Sequence, residues 1–198
     1  MLLLCLGILL QLVVQPQCCA TSTKMLSMEN IELLISEDEI KSKIAETARV
    51  INTEYKGQEL VVVMVMKGAL CITADLIREL EVPCEIEAVT ASSYGQRGTS
   101  RGELKISGVD ELNLAGKNVL LVDDIFDSGE TVWQIVKRLK EKNPKSIKTF
   151  VLLVKNVERT LDYEPDYALF HIENRFVVGY GLDYKEYYRG LRGVYAFK

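Results

Sequence analysis

The chain of 198 residues is poor in the groups that most often announce a metal or disulfide framework. It has one histidine, five cysteines and four prolines. His171 stands alone, and Cys5, Cys18, Cys19, Cys71 and Cys84 form no Cys-x-x-Cys pair, so no zinc-binding spacing exists. An odd, scattered set of cysteines fits a reducing compartment better than a disulfide framework. Positive charge is also in deficit: 24 Lys and Arg face 28 Asp and Glu, a formal net charge of -4. No broad basic field is available for nucleic acid, and no nucleic-acid partner is expected. A phosphate ligand is not excluded, because a local loop or a metal can hold one. With 13 Gly, 48% hydrophobic and 26% charged residues, collagen-like, low-complexity and wholly disordered chains are ruled out. One domain is the default at this length.

One segment stands apart. Met1 to Val14 is nearly all apolar, followed by Pro16 and Cys18-Cys19-Ala20. It is too short for a comfortable membrane span. Two readings stand. It resembles the apolar stretch of a secretory signal with Ala20 at the cleavage site, although no Lys or Arg precedes it. Alternatively, translation starts at Met25 or Met28 and the leader is an upstream extension. Residues 1–24 are expected to lie outside the fold, with 25–198 as a single domain. A cytoplasmic location without stable membrane association is expected of that domain. The leader leaves a secreted or tethered form open.

From Ile31 onward, strand and helix patterns alternate. Ser36 and Glu39 form a capping-box signature, and Ile40, Ile44, Ala48 and Ile51 recur at helical spacing up to Gly57. Leu60–Met66 is a continuous apolar run, expected of a strand buried on both faces. Ala69–Leu80 reads as a helix with Leu70, Ala74 and Ile77 on one side, and Cys84–Val89 as a strand. Residues 92–102 are polar and glycine-rich and read as a long flexible loop. Asn118–Val122 is a short buried strand. Thr131–Lys142 is an amphipathic helix with Val132, Ile135, Val136 and Leu139 inward. Phe150–Val154 is a strand, and Tyr167–Ile172 and Phe176–Tyr180 are weaker candidates. This order predicts an α/β fold with a mostly parallel sheet flanked by helices. Ligands then bind beyond the carboxyl ends of the strands.

The stretch Val119–Thr131 carries the chemistry. An apolar strand runs into Asp123 and Asp124, then a turn of Asp127, Ser128, Gly129, Glu130 and Thr131 opens a helix. Gly129 lets consecutive amides converge on an anion, Ser128 and Thr131 add hydroxyls, and the helix start adds free N–H groups. This is a phosphate cradle without the Gly-Lys-Ser/Thr of a Walker loop. Carboxylates beside a phosphate make sense if the ligand is a sugar phosphate. Asp123 and Asp124 then accept from vicinal ribose hydroxyls and hold a hydrated Mg²⁺ nearby.

This segment resembles the phosphoribosyl pyrophosphate motif of the type I phosphoribosyltransferases, and residues 31–198 resemble their hypoxanthine (hypoxanthine-guanine) branch. Val65-Met66-Lys67-Gly68-Ala69 is similar to the family's pyrophosphate loop. Ser92-Ser93-Tyr94-Gly95 with Thr99–Gly102 is similar to its lid, and Leu152–Lys155 to its purine-binding strand. Phe176–Tyr184 with Glu186–Arg189 is similar to its C-terminal base and pyrophosphate segment. The resemblance implies transfer of a phosphoribosyl group from phosphoribosyl pyrophosphate to hypoxanthine, and to guanine, with release of pyrophosphate. It implies a small hood lobe built from the terminal segments and assembly as a homodimer or homotetramer.

By the same resemblance, Asp127 is the general base/acid at the purine imidazole nitrogen. Lys155 donates to the 6-oxo group, which excludes adenine because an ammonium only donates. Phe176 stacks on the base and Val177 meets it through its backbone. Lys67, Gly68 and Arg189 contact pyrophosphate, Ser93 and Tyr94 belong to the lid, and Ile125 lies in the ribose-phosphate segment. Asp183 is a Mg²⁺ ligand, directly or through water, alongside Asp123 and Asp124. A non-proline cis peptide is implied at Lys67–Gly68. Two positions depart from the usual pattern: Asp123 stands where Glu is common, and Glu130 puts a negative charge beside the cradle. Its side chain is expected to point to solvent. A nucleotide-sensing regulator would need a cluster of Lys and Arg that is missing. A receiver domain would place the acidic pair after the first strand, far earlier than Asp123.

Overall fold

The computed structural model describes residues 30–93 and 104–198. The 1–24 leader and Tyr94, Gly95 and Thr99–Gly102 of the lid therefore lie outside the described residues. The elements are β1 (Ile31–Ile35), α1 (Glu37–Glu54), β2 (Leu60–Met66), α2 (Leu70–Glu79), β3 (Cys84–Ser93) and β4 (Leu104–Ser107). They continue with β5 (Asn118–Phe126), α3 (Glu130–Lys140), β6 (Ser146–Lys155), β7 (Tyr167–Ile172), β8 (Val177–Val178) and β9 (Val194–Phe197).

Six strands form the main sheet in the order β4-β3-β2-β5-β6-β7. All neighbours are parallel except β4, which runs antiparallel to β3. The apolar runs supply both faces. Leu60 and Val62 point into one core with α1 and α2, while Val61, Val63 and Val65 point into a second core with α3. Each fully buried Val or Leu contributes about 1.5–3 kcal/mol, so the central strands are held by burial on both faces. The terminal segments form a separate antiparallel sheet, β1-β9-β8, whose Ile35, Val177, Val194 and Ala196 join the α1/α2 core.

Helix α1 begins as its sequence dictates. The Ser36 side chain accepts from the Glu39 amide, and the Glu39 carboxylate accepts from the Ser36 amide at 2.8 Å. Ile40, Ile44, Ala48 and Ile51 are its buried face. Helix α3 buries Val132, Ile135, Val136 and Leu139, also as expected. Helix α2 is phased differently. Ile72, Thr73 and Leu76 are its buried residues, and Leu70 is 50% exposed. Both faces of this helix are apolar in sequence, so spacing alone chose the wrong one. The strand expected at Phe176–Tyr180 shrinks to Val177–Val178, because Gly179 and Gly181 take positive φ values of 98° and 101° and turn the chain. Ser92 and Ser93, expected in the loop, extend β3 by pairing with Lys105 and Leu104. Among the described residues no helix is long and apolar enough to cross a membrane.

Candidate active site

The parallel strands β2, β5 and β6 end at one edge of the sheet, which carries Lys67, Gly68, Asp123, Asp124, Asp127 to Thr131 and Lys155, while Phe176 and Val177 lie with the separate β1-β9-β8 sheet. In the β5/β6 register Asp123 lies opposite Val151 and Phe126 opposite Val154. Asp127 and Lys155, one step further on, therefore emerge side by side. Lys155 Nζ donates to Asp127 Oδ2 at 3.3 Å, with the lysine side chain 12% exposed and the aspartate 51%.

Gly129 starts α3 with φ 80°, a left-handed conformation that L side chains resist. A Cβ there would lie 2.5 Å from Phe126 Cζ and 3.1 Å from Leu161 Cδ2. The turn thus needs glycine for conformation and for space. No side chain caps α3, so its first amides are left for a ligand, apart from a 3.5 Å contact from Glu130 N–H to Ser128 Oγ. The Glu130 carboxylate is exposed and accepts from Gln134 at 2.6 Å, directed along the helix as expected. Thr131 is half-buried in the first turn. Ile125 packs its side chain against the α1/α2 core, and its backbone pairs with Leu153 in the sheet.

Asp123 is 5% exposed, and its Oδ1 accepts the Asp124 amide at 2.9 Å. Burial pushes the Asp123 carboxyl well above the usual carboxylate range, and the neighbouring Asp124 charge pushes it further. Burial raises Asp124 as well, against hydrogen bonds and the nearby Arg189 charge that favour its ionised form.

Asp124 lies against the β2 loop. A Cβ on Gly68 would fall 1.8 Å from Asp124 Oδ2, and one on Gly181 would fall 2.0 Å from the Gly68 carbonyl. Three segments far apart in sequence therefore interlock: a side chain at Gly181 would strike backbone, and one at Gly68 would displace the Asp124 carboxylate. The cis peptide sits at Met66–Lys67, one bond before the place implied by the resemblance. Arg189 completes the interlock: Nη1 donates to the Gly181 carbonyl at 2.7 Å, and Nη2 pairs with Asp183 Oδ1 at 2.7 Å. Glu186 Oε2 accepts from Lys67 Nζ at 2.9 Å and from Arg189 Nη2 at 3.4 Å. The Glu186 amide donates to Asp183 Oδ2 at 2.8 Å.

Phe176 is 53% exposed, with its ring 5.7 Å from Tyr184 and 5.6 Å from Phe197. Val177 is buried and pairs through its backbone with Ala196. Ser93 closes β3 and Tyr94 lies outside the described residues. A concavity of about 560 Å³ lies at the opposite edge, lined by the strand starts Leu60, Cys84 and Asn118. Its polar groups satisfy one another: Lys117 pairs with Glu85, and Lys145 donates to Gln58.

The sequence pattern did not reveal Arg159. It donates Nε to the Asp127 carbonyl at 2.8 Å, Nη2 to the Lys155 carbonyl and Nη1 to Glu164 at 3.1 Å. Its only sequence signal was an arginine four places after the strand-ending lysine.

Among the described residues no three His, Cys, Asp or Glu side chains cluster as a metal cage. Mg²⁺ asks for less, since it keeps several waters and binds through one or two carboxylates plus substrate phosphates. The hard oxygens of Asp123, Asp124 and Asp183 suit that mode, and the first two are adjacent carboxyls that a cation would relieve.

Residues 35–185 match the phosphoribosyl transferase domain family. The chain is 40% identical over 168 residues to the hypoxanthine-guanine phosphoribosyltransferase of Aquifex aeolicus, covering 84% of this chain and 94% of that protein. It is 42% identical over 160 residues to the bifunctional protein TilS/HprT of Listeria monocytogenes, covering 81% of this chain but spanning only 25% of that protein. The solved hypoxanthine-guanine phosphoribosyltransferase of Bacillus anthracis superposes with a TM-score of 0.77 at 36% identity, over 84% of this chain and 98% of that one. The domain match over residues 35–185, the 40% identity along most of both chains and the superposed fold together establish that the chain belongs to the phosphoribosyltransferase family, in its hypoxanthine-guanine branch.

Proposed function

We propose that this protein is a purine salvage enzyme that transfers the 5-phosphoribosyl group of phosphoribosyl pyrophosphate to hypoxanthine or guanine, giving IMP or GMP and pyrophosphate. The observation that carries the reading is the Lys155–Asp127 pair, 3.3 Å apart at the mouth of a glycine-started helix. A 6-oxopurine presents its O6 and N7 side by side on one edge. An ammonium and a carboxylate in contact match that edge: Lys155 donates to O6 while Asp127 takes the imidazole proton. Adenine offers a donor at the same place and meets only another donor.

The reaction forms the bond between the base nitrogen and the ribose C1′ and breaks the bond from C1′ to pyrophosphate. The proton lost by the imidazole goes to Asp127, a transfer of a kind that contributes about 10²–10⁴-fold. The amides at Gly129, Glu130 and Thr131, with the Ser128 hydroxyl, hold the 5′-phosphate. Asp123 and Asp124 accept from the ribose hydroxyls. Lys67, the Gly68 backbone and Arg189 receive the pyrophosphate. Phe176 stacks on the base, with the Val177 backbone at its edge. Ser93 and Tyr94 are assigned to substrate binding by the family resemblance. Mg²⁺, when bound, supplies positive charge to the departing pyrophosphate; Asp183, Asp123 and Asp124 are the residues assigned to it. Residues 25–198 act as one domain in the cytoplasm, assembled as a homodimer or homotetramer.

The test is a spectrophotometric assay of hypoxanthine, guanine, xanthine and adenine separately, with and without Mg²⁺. Turnover of hypoxanthine and guanine is expected, dependent on metal. Turnover of adenine alone, or of no base with metal present, defeats the proposal.

A further inference from the structure

The two groups proposed to read the purine edge stand on different segments, so something must fix their spacing. Asp127 follows β5 and Lys155 ends β6. Beyond the last ladder pair, Phe126 with Val154, the two strands no longer hold each other by backbone bonds. Arg159 takes over at that point. Its Nε donates to the Asp127 carbonyl at 2.8 Å and its Nη2 to the Lys155 carbonyl, which also accepts the Val157 amide at 3.0 Å.

The guanidinium is itself held in place. Its centre lies 5.0 Å over the Phe126 ring, and Nη1 pairs with Glu164 at 3.1 Å. The side chain is 12% exposed, whereas Glu164 is 66% exposed. All three guanidinium nitrogens are thus used, two of them on the carbonyls of the proposed base-reading residues. A planar fork with donors on separate nitrogens sets the separation of two acceptors; a lysine carries its three donors on one nitrogen at the end of a flexible stem and imposes no such separation.

We propose that Arg159 is a positioning residue for base recognition. It fixes the backbones of Asp127 and Lys155 so that carboxylate and ammonium meet N7 and O6 together, and it does so without touching the base. The inference rests on the function proposed above and adds a residue to it. It predicts a loss confined to the base half of the reaction. The 5′-phosphate cradle starts at Ser128 and the pyrophosphate contacts lie on other segments, so the sugar substrate should bind as before.

The experiment measures kcat and KM for hypoxanthine and for phosphoribosyl pyrophosphate in wild type, Arg159→Ala, Arg159→Lys and Glu164→Gln, with a thermal melt for each. Arg159→Ala is expected to lower kcat/KM for hypoxanthine about 10²-fold, the scale of a misplacement of about 1 Å. Its KM for phosphoribosyl pyrophosphate should stay within about twofold. Arg159→Lys keeps the charge and the stem and carries the test if the alanine variant does not fold. It should still lose about tenfold for hypoxanthine, because a single flexible ammonium does not fix the separation of the two carbonyls. Glu164→Gln should change little, since an exposed pair is worth about 0–1 kcal/mol. Full activity in Arg159→Lys, or equal losses for base and sugar substrate, overturns the positioning role while leaving the proposed reaction intact. A wild type that turns over neither oxopurine overturns the reaction and this role with it.

Discussion

Replacing Gly129 by alanine tests the cradle directly, and its cost follows from the geometry. The residue sits at φ 80°, where an L residue pays about 1–2 kcal/mol. The new methyl would meet Phe126 Cζ at 2.5 Å and Leu161 Cδ2 at 3.1 Å. Phe126 is fully buried and has Arg159 over its ring and Tyr163 at 6.3 Å, so it has little room to retreat. Overpacking of this kind costs about 1–3 kcal/mol. The sum is about 2–5 kcal/mol, by the same two figures. Gly57→Ala is the control. It has nearly the same φ, 73°, but nothing within 4 Å of its added methyl. It should lose only the conformational part, about 1–2 kcal/mol. Alanine also lowers the entropy of the unfolded chain by about 0.4–1 kcal/mol in both variants, which cancels in the comparison. Urea unfolding of the two variants gives the difference.

Function should separate them more sharply. Each amide-to-phosphate bond that Gly129→Ala misaligns is worth about 1.5–3 kcal/mol, so KM for phosphoribosyl pyrophosphate should rise roughly 10- to 100-fold. Gly57→Ala should leave it unchanged. If Gly129→Ala unfolds at the same urea concentration as Gly57→Ala and keeps the wild-type KM, the turn is not the phosphate cradle and the packing reasoning is wrong.

Two further variants probe the charges. Glu186 shares one carboxylate oxygen between Lys67 and Arg189, the two cations assigned to pyrophosphate. Glu186→Gln should free Lys67 and leave Arg189 held by Asp183 alone among the carboxylates, strengthening inhibition by inorganic pyrophosphate about two- to fivefold because the Lys67–Glu186 pair is exposed; weaker inhibition would show that Glu186 aids binding instead. Asp123 has its pKa raised by burial and by Asp124, so the folded protein holds a proton that the unfolded chain has already lost. The stability this proton confers is present at acid pH and fades as pH rises through the raised value. Asp123→Asn should therefore melt higher than wild type at neutral pH, with the gap closing on acidification. A deficit that is the same at every pH would contradict the assignment of an uncompensated buried carboxylate.

Most of the scaffold was legible in the sequence where one local rule acted alone. The capping box at Ser36 and Glu39, the helical spacing of Ile40 to Ile51, and the apolar run Leu60–Met66 each specify an element without help from elsewhere. Helix α2 buries another face than its spacing suggests, because Leu70, Ala74 and Ile77 also form a plausible stripe. What decides against it is the position of the β2 and β5 side chains, which bury Ile72 and Leu76. The short strands β1 and β9 are not legible in the sequence for a related reason. They exist through pairing between the two ends of the described chain, Ile31 with Phe197, and neither carries a strong pattern of its own. In the site, Asp123, Asp124 and Gly129 were legible because strand, acidic pair and glycine turn lie in one continuous stretch. Arg159 was not, since its role consists of two backbone carbonyls, and carbonyls leave no trace in the identity of residues 127 and 155.

The glycines explain why so acidic an edge can exist. Gly68 lets Asp124 approach the β2 loop, and Gly181 lets the C-terminal turn rest on the Gly68 carbonyl. These close approaches are held by the packed sheet beneath them, with Val62, Leu120 and Val122 fully buried below the site. The core thus supplies the stability, and the site itself gives some up: two adjacent carboxyls with raised pKa values are poor partners for each other. A group arriving with hydroxyl donors and a cation finds acceptors already desolvated and already oriented. Binding then releases the repulsion that folding alone could not remove. The interlock at Gly68 and Gly181 is what keeps the carboxyls from relaxing away before that happens. Substitution of Gly68 by alanine should therefore damage sugar binding before it damages the fold, since the Asp124 side chain can turn aside more easily than the sheet can open, whereas at Gly181 the added methyl meets the Gly68 backbone carbonyl and should cost stability as well.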